Sequence, residues 1–315
     1  MKRHLLFLAA LLIVNLAASA QKKFSVYAVG FYNQENLFDT CHDEGKKDYE
    51  YLPNKGWNGM KYTNKLRNMS KALADMGTDV LPNVGCAFIG LSEVENHKVL
   101  DALVDQAPLK ARNMKYVHIE GPDRRGIDCA LLYNPSLFSV KNVKLLPYVQ
   151  ELAKDSAFFT RGFLTVRGEM AGDDVAVIVC HWPSRFSGPF YRESAARQVK
   201  VIKDSLLNVN QEMKIFVMGD MNDDPVNKSM HVYLQAKPEI SQVGAGDMYN
   251  PWYNVLAKEG KGTLFYSGNW NLFDQIVITP NLLNKDAKKK DYSSLKYWKS
   301  HIFRRDYLIQ QEGQY

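Results

Sequence analysis

Asp220 and Asn222, in Gly219-Asp220-Met221-Asn222-Asp223-Asp224-Pro225, stand where the apolar run Ile215-Phe216-Val217-Met218 gives out. A buried strand ending this way delivers a carboxylate and an amide to an exposed edge, although an Asp-rich turn after a strand is also ordinary punctuation. Gly219 would let the backbone approach a ligand closely, and Pro225 stops the strand. The arrangement recurs. Asn33-Gln34-Glu35-Asn36 follows one apolar run, Ser92-Glu93-Val94-Glu95-Asn96 another, His181-Trp182-Pro183-Ser184-Arg185 a third, and Asp274 opens the apolar segment 273–278. Singly, Glu93 reads as a helix-start acid, Asn33 as a turn residue and His181 as a satisfied core histidine. Asp274 precedes Ile276, Val277 and Ile278, and a buried carboxylate there needs a partner. Jointly, carboxylates, amides and one imidazole, with no Cys or His cluster, are hard oxygen-rich ligands suited to Mg2+ or Mn2+.

The elements that must hold these residues are mostly strands. Apolar or alternating segments predict strands at 24–31, 86–91, 116–119, 129–133, 140–146, 158–167, 175–180, 215–218 and 273–278. Helical spacing predicts helices over 63–76, with Leu66, Met69, Leu73 and Met76 on one stripe, and over 191–207, with a shorter one at 227–234. Val175-Ala176-Val177-Ile178-Val179-Cys180 is apolar on both faces and needs cover on each side, whereas 163–167 more nearly alternates. An α/β four-layer sandwich satisfies both patterns: two face-to-face mixed β-sheets flanked by helices.

At 315 residues, 46% hydrophobic and 23% charged, the chain suits one large globular domain and not global disorder. Residues 1–20 carry Lys2 and Arg3, an apolar stretch too short to span a bilayer, and Ala18-Ser19-Ala20 before Gln21. That is the layout of a cleaved secretory signal, so residues 21–315 are expected as a single secreted or periplasmic domain, monomeric by default. The four cysteines form no C-x-x-C pair; Cys129 and Cys180 fall in strand-like runs as buried thiols. A basic cluster from Lys285 to Arg305 either draws phosphate-bearing substrates or is a solvated face.

Taken in order, Asn33/Glu35, Glu93, His181, Asp220/Asn222 and Asp274 resemble the successive signatures of the endonuclease/exonuclease/phosphatase superfamily, whose fold is that of pancreatic deoxyribonuclease. Gly219-Asp220-Met221-Asn222 resembles its Gly-Asp-x-Asn, and the segment 270–279 its Trp-x-x-x-Asp before an apolar strand. The resemblance implies metal-assisted attack of water on a phosphoester, most simply by a phosphodiesterase or endonuclease using Mg2+ or Mn2+, with nucleic acid among the substrates to consider. It assigns Glu93, Asn33 and Glu35 to the metal. Asp220 then acts on the water, Asn222 donates to a phosphate oxygen, and His181 donates to the phosphate or the leaving oxygen. Glu120, in Tyr116-Val117-His118-Ile119-Glu120-Gly121-Pro122, becomes the partner of His181. Arg124, Arg125 and Arg185 are either phosphate clamps or surface charges.

One departure stands out. The family closes with a Ser-Asp-His strand whose His is oriented by the residue equivalent to Asp274, and no histidine in this sequence follows an Asp; His301 is the only late candidate. The expectation is a chain truncated before that strand, with weak or absent turnover. Two other readings remain open: a phosphatase or lipid-headgroup phosphodiesterase of the same fold, and a noncatalytic phosphate-binding member. The loop 48–62, with Tyr49, Tyr51, Trp57 and Tyr62, either stacks a substrate ring or packs on itself.

Overall fold

In a computed structural model, residues 25–149, 151, 159–286 and 288–309 are described. The leader-like residues 1–20 lie outside them, as does the start of the strand expected at 158–167. In chain order the strands are β1 (Ala28–Leu37), β2 (Cys86–Val94), β3 (Lys115–His118), β4 (Asp128–Tyr133), β5 (Ser139–Leu146), β6 (Phe163–Met170), β7 (Asp173–His181), β8 (Lys214–Asp220), β9 (Ala236–Lys237), β10 (Met248–Tyr249), β11 (Leu264–Tyr266), β12 (Asn269–Asn271) and β13 (Asp274–Ile278). The helices are α1 (Gly59–Asp75), α2 (His97–Val104), α3 (Ala107–Ala111), α4 (Pro189–Val209) and α5 (Trp252–Ala257). The segment expected as a third helix at 227–234 contains a single wide turn, Ser229–Tyr233.

One sheet runs β1-β2-β4-β3 and the other β5-β6-β7-β8-β13-β10-β9; β11 and β12 form a separate hairpin. Both large sheets are mixed. β1 is parallel to β2 and β7 to β8, while β2–β4, β6–β7 and β8–β13 are antiparallel. The inner faces meet in a core containing Phe88, Leu131, Val166, Val177 and Met218. The outer face of the seven-stranded sheet packs Ala176, Ile178 and Ile215 against Ala195 and Val199 of α4. On the other outer face, Leu66 and Leu73 of α1 and Leu100 and Leu103 of α2 cover Ile89 and Leu91. The both-faces-apolar strands thus lie in the middle of a helix-sheet-sheet-helix stack, as their composition requires.

Gly219 serves packing and not ligand approach. A Cβ there would sit 2.2 Å from the Cys180 carbonyl oxygen of β7, so the absent side chain lets β7 and β8 close together. Cys129 and Cys180 are buried in the core. Among the described residues, no helix is long and apolar enough to cross a membrane.

Candidate active site

Backbone pairing alone sets three chemical side chains side by side. β7 and β8 finish in register with His181 opposite Asp220, and on the other edge of β8 Asp220 is opposite Asp274 of β13. Glu93 arrives from the facing sheet. Ligand atoms of Glu93, His181 and Asp220 lie within 4.8 Å of one another. His181 Nε2 is 3.7 Å from Glu93 Oε1 and 3.9 Å from Asp220 Oδ2.

Irregular backbone aims these residues. The β2–β4 register slips between Ser92 and Val94, and Glu93 at that bulge has φ 60°. An ordinary strand would alternate Glu93 away from its neighbours' direction; a bulge re-aims one side chain. β1 slips between Asn33 and Leu37, where Glu35 and Asn36 take φ 49° and 64°. Asn222, just past β8, has φ 50°. Non-glycine residues in this left-handed region cost of order 1 kcal/mol each, and four of them gather at one site.

Hydrogen bonds fix the acids. Asn33 Nδ2 donates to Asp220 Oδ2 at 3.1 Å, and the Asn222 backbone N–H donates to Asp220 Oδ1 at 2.8 Å. The Asn222 amide donates to the Trp182 carbonyl at 2.9 Å, tying the end of β7 to the turn after β8. Burial pushes Asp220 up to about 6, opposed by the Asn222 N–H and reinforced by the Glu93 charge. Burial and then the Asp220 charge hold Asp274 well above the usual carboxylate range, against the hydrogen bond it receives from Thr263. Burial, followed by the Arg161 and Arg125 guanidinium groups, drives His181 well below its ordinary value, so its imidazole is neutral.

A divalent cation fits this donor set. Among the described residues no lysine or arginine nitrogen comes within ion-pair distance of Glu93 or Asp220, leaving two adjacent carboxylates without a cationic partner. The two carboxylate oxygens are hard donors of the kind that Mg2+ or Mn2+ accepts, with the His181 imidazole beside them.

The other expected site residues divide. Asn33 lies in the site: its amide donates to Asp220, and its Oδ1 accepts the Glu35 backbone N–H at 2.8 Å. Glu35 is exposed at the rim and outside the convergent group. Glu120 is exposed and sits 3.6 Å from Lys46, while His181 Nδ1 is buried without a hydrogen-bond partner; the pairing of Glu120 with His181 is therefore absent. The turn after β3 directs that side chain to solvent.

The three arginines also differ. Arg125 hydrogen-bonds Asn36 and Tyr51 and acts electrostatically on His181, so it borders the site. Arg124 is exposed, over the Phe159 ring at 5.3 Å. Arg185 is committed to the turn after β8: it donates to the Asn222 carbonyl at 3.2 Å and to Asp224 at 2.9 Å and lies 4.4 Å over Phe273. His301 faces Asp79 at 3.5 Å, and no histidine lies within ion-pair distance of Asp274 among the described residues. Arg305 also binds Asp79, so this end of the late basic cluster anchors its own segment to the turn after α1. The loop 48–62 packs against the chain just after β1: Tyr51 stacks on Phe38 at 4.0 Å, and the Trp57 indole donates to the Asp39 carbonyl at 2.8 Å.

Two residues escaped the sequence reading. Arg161, almost wholly buried, pairs with Asp123 at 3.0 Å and donates to the Trp182 carbonyl at 3.0 Å, beside His181. Lys65 reaches from α1 to the Glu35 carbonyl at 2.7 Å, and burial holds it below the ordinary lysine value against the opposing pull of the Glu35 and Glu93 charges. A lone Arg before a strand and a polar position on an amphipathic helix carry no signal in one sequence.

The fold resembles that of ANGEL2, described as a 2′,3′-cyclic phosphatase, with a TM-score of 0.53 and 12% identity over 80% of this chain and 82% of that one. It also resembles a mannosyl-6-phosphatase of Bacteroides thetaiotaomicron, with a TM-score of 0.52 and 13% identity over 81% and 86% of the two chains. No curated protein matches the sequence. Residues 28–315 match the Endonuclease/Exonuclease/phosphatase family along nearly all of the chain, and the protein belongs to that family.

Proposed function

We propose that the protein is an exported, divalent-metal-dependent phosphoester hydrolase of the phosphodiesterase or nuclease type. The single observation that carries this reading is the convergence of Glu93, His181 and Asp220 from two sheets onto one small space. Glu93 and Asp220 would hold Mg2+ or Mn2+, with His181 beside them. When bound, such an ion screens the phosphate charge and acidifies water.

The protein's own groups supply the rest. Asp220, oriented by Asn33 Nδ2 and the Asn222 backbone N–H, is the carboxylate placed to take a proton from the attacking water as general base. The neutral His181 offers an N–H to a phosphate oxygen or to the leaving group. Arg125 and Lys65 bring positive charge to the rim, where a phosphoester carries negative charge. Export rests on the leader-like residues 1–20.

The test is release of p-nitrophenolate from bis(p-nitrophenyl) phosphate, with p-nitrophenyl phosphate as the monoester control. Expected is slow Mg2+-dependent diester cleavage, abolished by chelation and lowered at least about a hundredfold by Glu93→Gln. Turnover indifferent to chelation and to Glu93→Gln would overturn the proposal. Preference for the monoester would replace the diesterase reading with a phosphatase.

A further inference from the structure

One segment carries the whole formal excess of +6: within 285–305 stand eight lysines and arginines against two acids, Asp286 and Asp291. The rest of the chain is neutral on balance. Among the described residues of 283–305 there is no helix or strand, and irregular stretches longer than about 15 residues are uncommon outside functional surfaces and linkers.

Its contacts place this segment across the end of the sandwich opposite the candidate site. The Leu295 N–H donates to Asp173, which opens β7, at 2.6 Å. The ammonium groups of Lys296 and of Lys214, which opens β8, meet at the Asn281 carbonyl, at 2.7 and 3.3 Å. His181 and Asp220 close the same two strands, and the seven residues of β8 separate its ends by about 20 Å. Leu295 and Tyr297 turn inward onto the core between the sheets, Phe303 turns onto the core under α1, and Arg305 holds Asp79 at 2.8 Å. The segment is a strap, pinned by its apolar residues with most of its charges left outside.

Lys288, Lys289, Lys290, Lys299 and Arg304 are exposed, and none takes part in an ion pair among the described residues, unlike His301 and Arg305. Asp286 and Asp291 accept instead from the backbone N–H groups of Lys288 and Ser293. Between these cations Trp298 is 59% exposed and Tyr292 40%, and the Lys299 ammonium sits 4.5 Å over the Trp298 ring. Neighbouring like charges repel, and an indole left in water forgoes the gain from burial. One partner relieves both if it is anionic at its surface and apolar beneath.

We propose that this strap docks the protein on an anionic phospholipid surface. Lysines there meet lipid phosphates, while Trp and Tyr suit the boundary between headgroups and acyl chains. Nucleic acid is the other polyanion of matching charge, but arginine forks hold its phosphates best, and four of the five unpaired cations are lysines. A strand held on the strap would also lie about 20 Å from the carboxylates of the site. Docked through the strap, the protein turns the candidate site away from the lipid.

Sedimentation of the full chain with phosphatidylcholine vesicles, with and without phosphatidylglycerol, tests this. In about 0.1 M salt the parent should bind the anionic vesicles at least about a hundredfold more tightly, and high salt should abolish the difference. The variant Lys288→Gln/Lys289→Gln/Lys290→Gln/Lys299→Gln is altered only at exposed side chains and should melt like the parent. It should lose at least about tenfold of that preference while binding neutral vesicles equally. Brominated phosphatidylglycerol fixes the orientation. Its quenching of tryptophan fluorescence should largely vanish in Trp298→Phe and persist in Trp270→Phe, the exposed indole on the hairpin that Arg185 ties to the site's end. Equal binding of both vesicle types by the parent, or an unchanged preference in the lysine variant, would overturn the proposal. So would quenching lost in Trp270→Phe instead, which would put the site's end on the lipid. Loss of binding to a DNA duplex by the lysine variant without any effect on vesicles would overturn it too, making the strap a nucleic-acid contact.

Discussion

Asp220 and Asp274 are register partners across the antiparallel pair of β8 and β13, so the fold places two carboxylates against each other with burial favouring the protonated form of both. Each has a folded-state value above its unfolded one. For an acid that sign means the pair destabilises the metal-free fold increasingly as pH rises from about 4, the unfolded range, through the folded values.

Asp274→Asn should therefore raise the melting temperature of chelator-treated protein at pH 8 by about 2 °C or more, with the gain fading toward pH 4. Thermal melts across that range decide it. An Asp274→Asn variant less stable than the parent at pH 8 would contradict the electrostatic account.

Strain at Asn222 is separable from its hydrogen bond. Asn222→Ala and Asn222→Gly both remove the donor to the Trp182 carbonyl, but only alanine must hold φ 50° with a Cβ. Urea unfolding should place the glycine variant about 1 kcal/mol above the alanine variant.

The Arg161–Asp123 pair is the buried charge pair behind His181, with both side chains less than a tenth exposed. Arg161→Met leaves Asp123 buried without its cationic partner and should cost about 3 to 5 kcal/mol in urea unfolding. Adding Asp123→Leu should recover part of that loss. A single variant costing under about 1 kcal/mol would mean that water reaches the pair.

Asn96 caps α2 by accepting from the backbone N–H groups of Lys98 and Val99. Asn96→Ala should lower stability by about 1 kcal/mol without changing metal affinity, because the residue faces a helix end and not the convergent group.

What the sequence disclosed follows from the range over which each signal acts. All nine expected strands are present, with edges moved by a few residues, because a two-faced or alternating apolar run is a local property. The convergence of Glu93, His181 and Asp220 was legible as residue types at strand ends. Their aim was not: the bulge at Glu93 and the turn at Asn222 are backbone conformations that no residue identity announces. Asn96 looked like one more polar strand-end residue and is a helix cap, which is why α2 was missed. The Ser267-Gly268 turn was a valid hairpin signal between strands only three residues long, too short for a period to show. Glu120 failed for a further reason: a motif fixes the segment, but the turn beyond β3 decides which way its side chain points.

A cation held between Glu93 and Asp220 is the centre of the proposed chemistry. Calorimetric titration of the chain with Mn2+ tests this directly, comparing the parent with Glu93→Gln. The prediction is one site in the parent, weakened at least about thirtyfold in the variant. Identical titrations for the two proteins, or no binding by the parent, would contradict it.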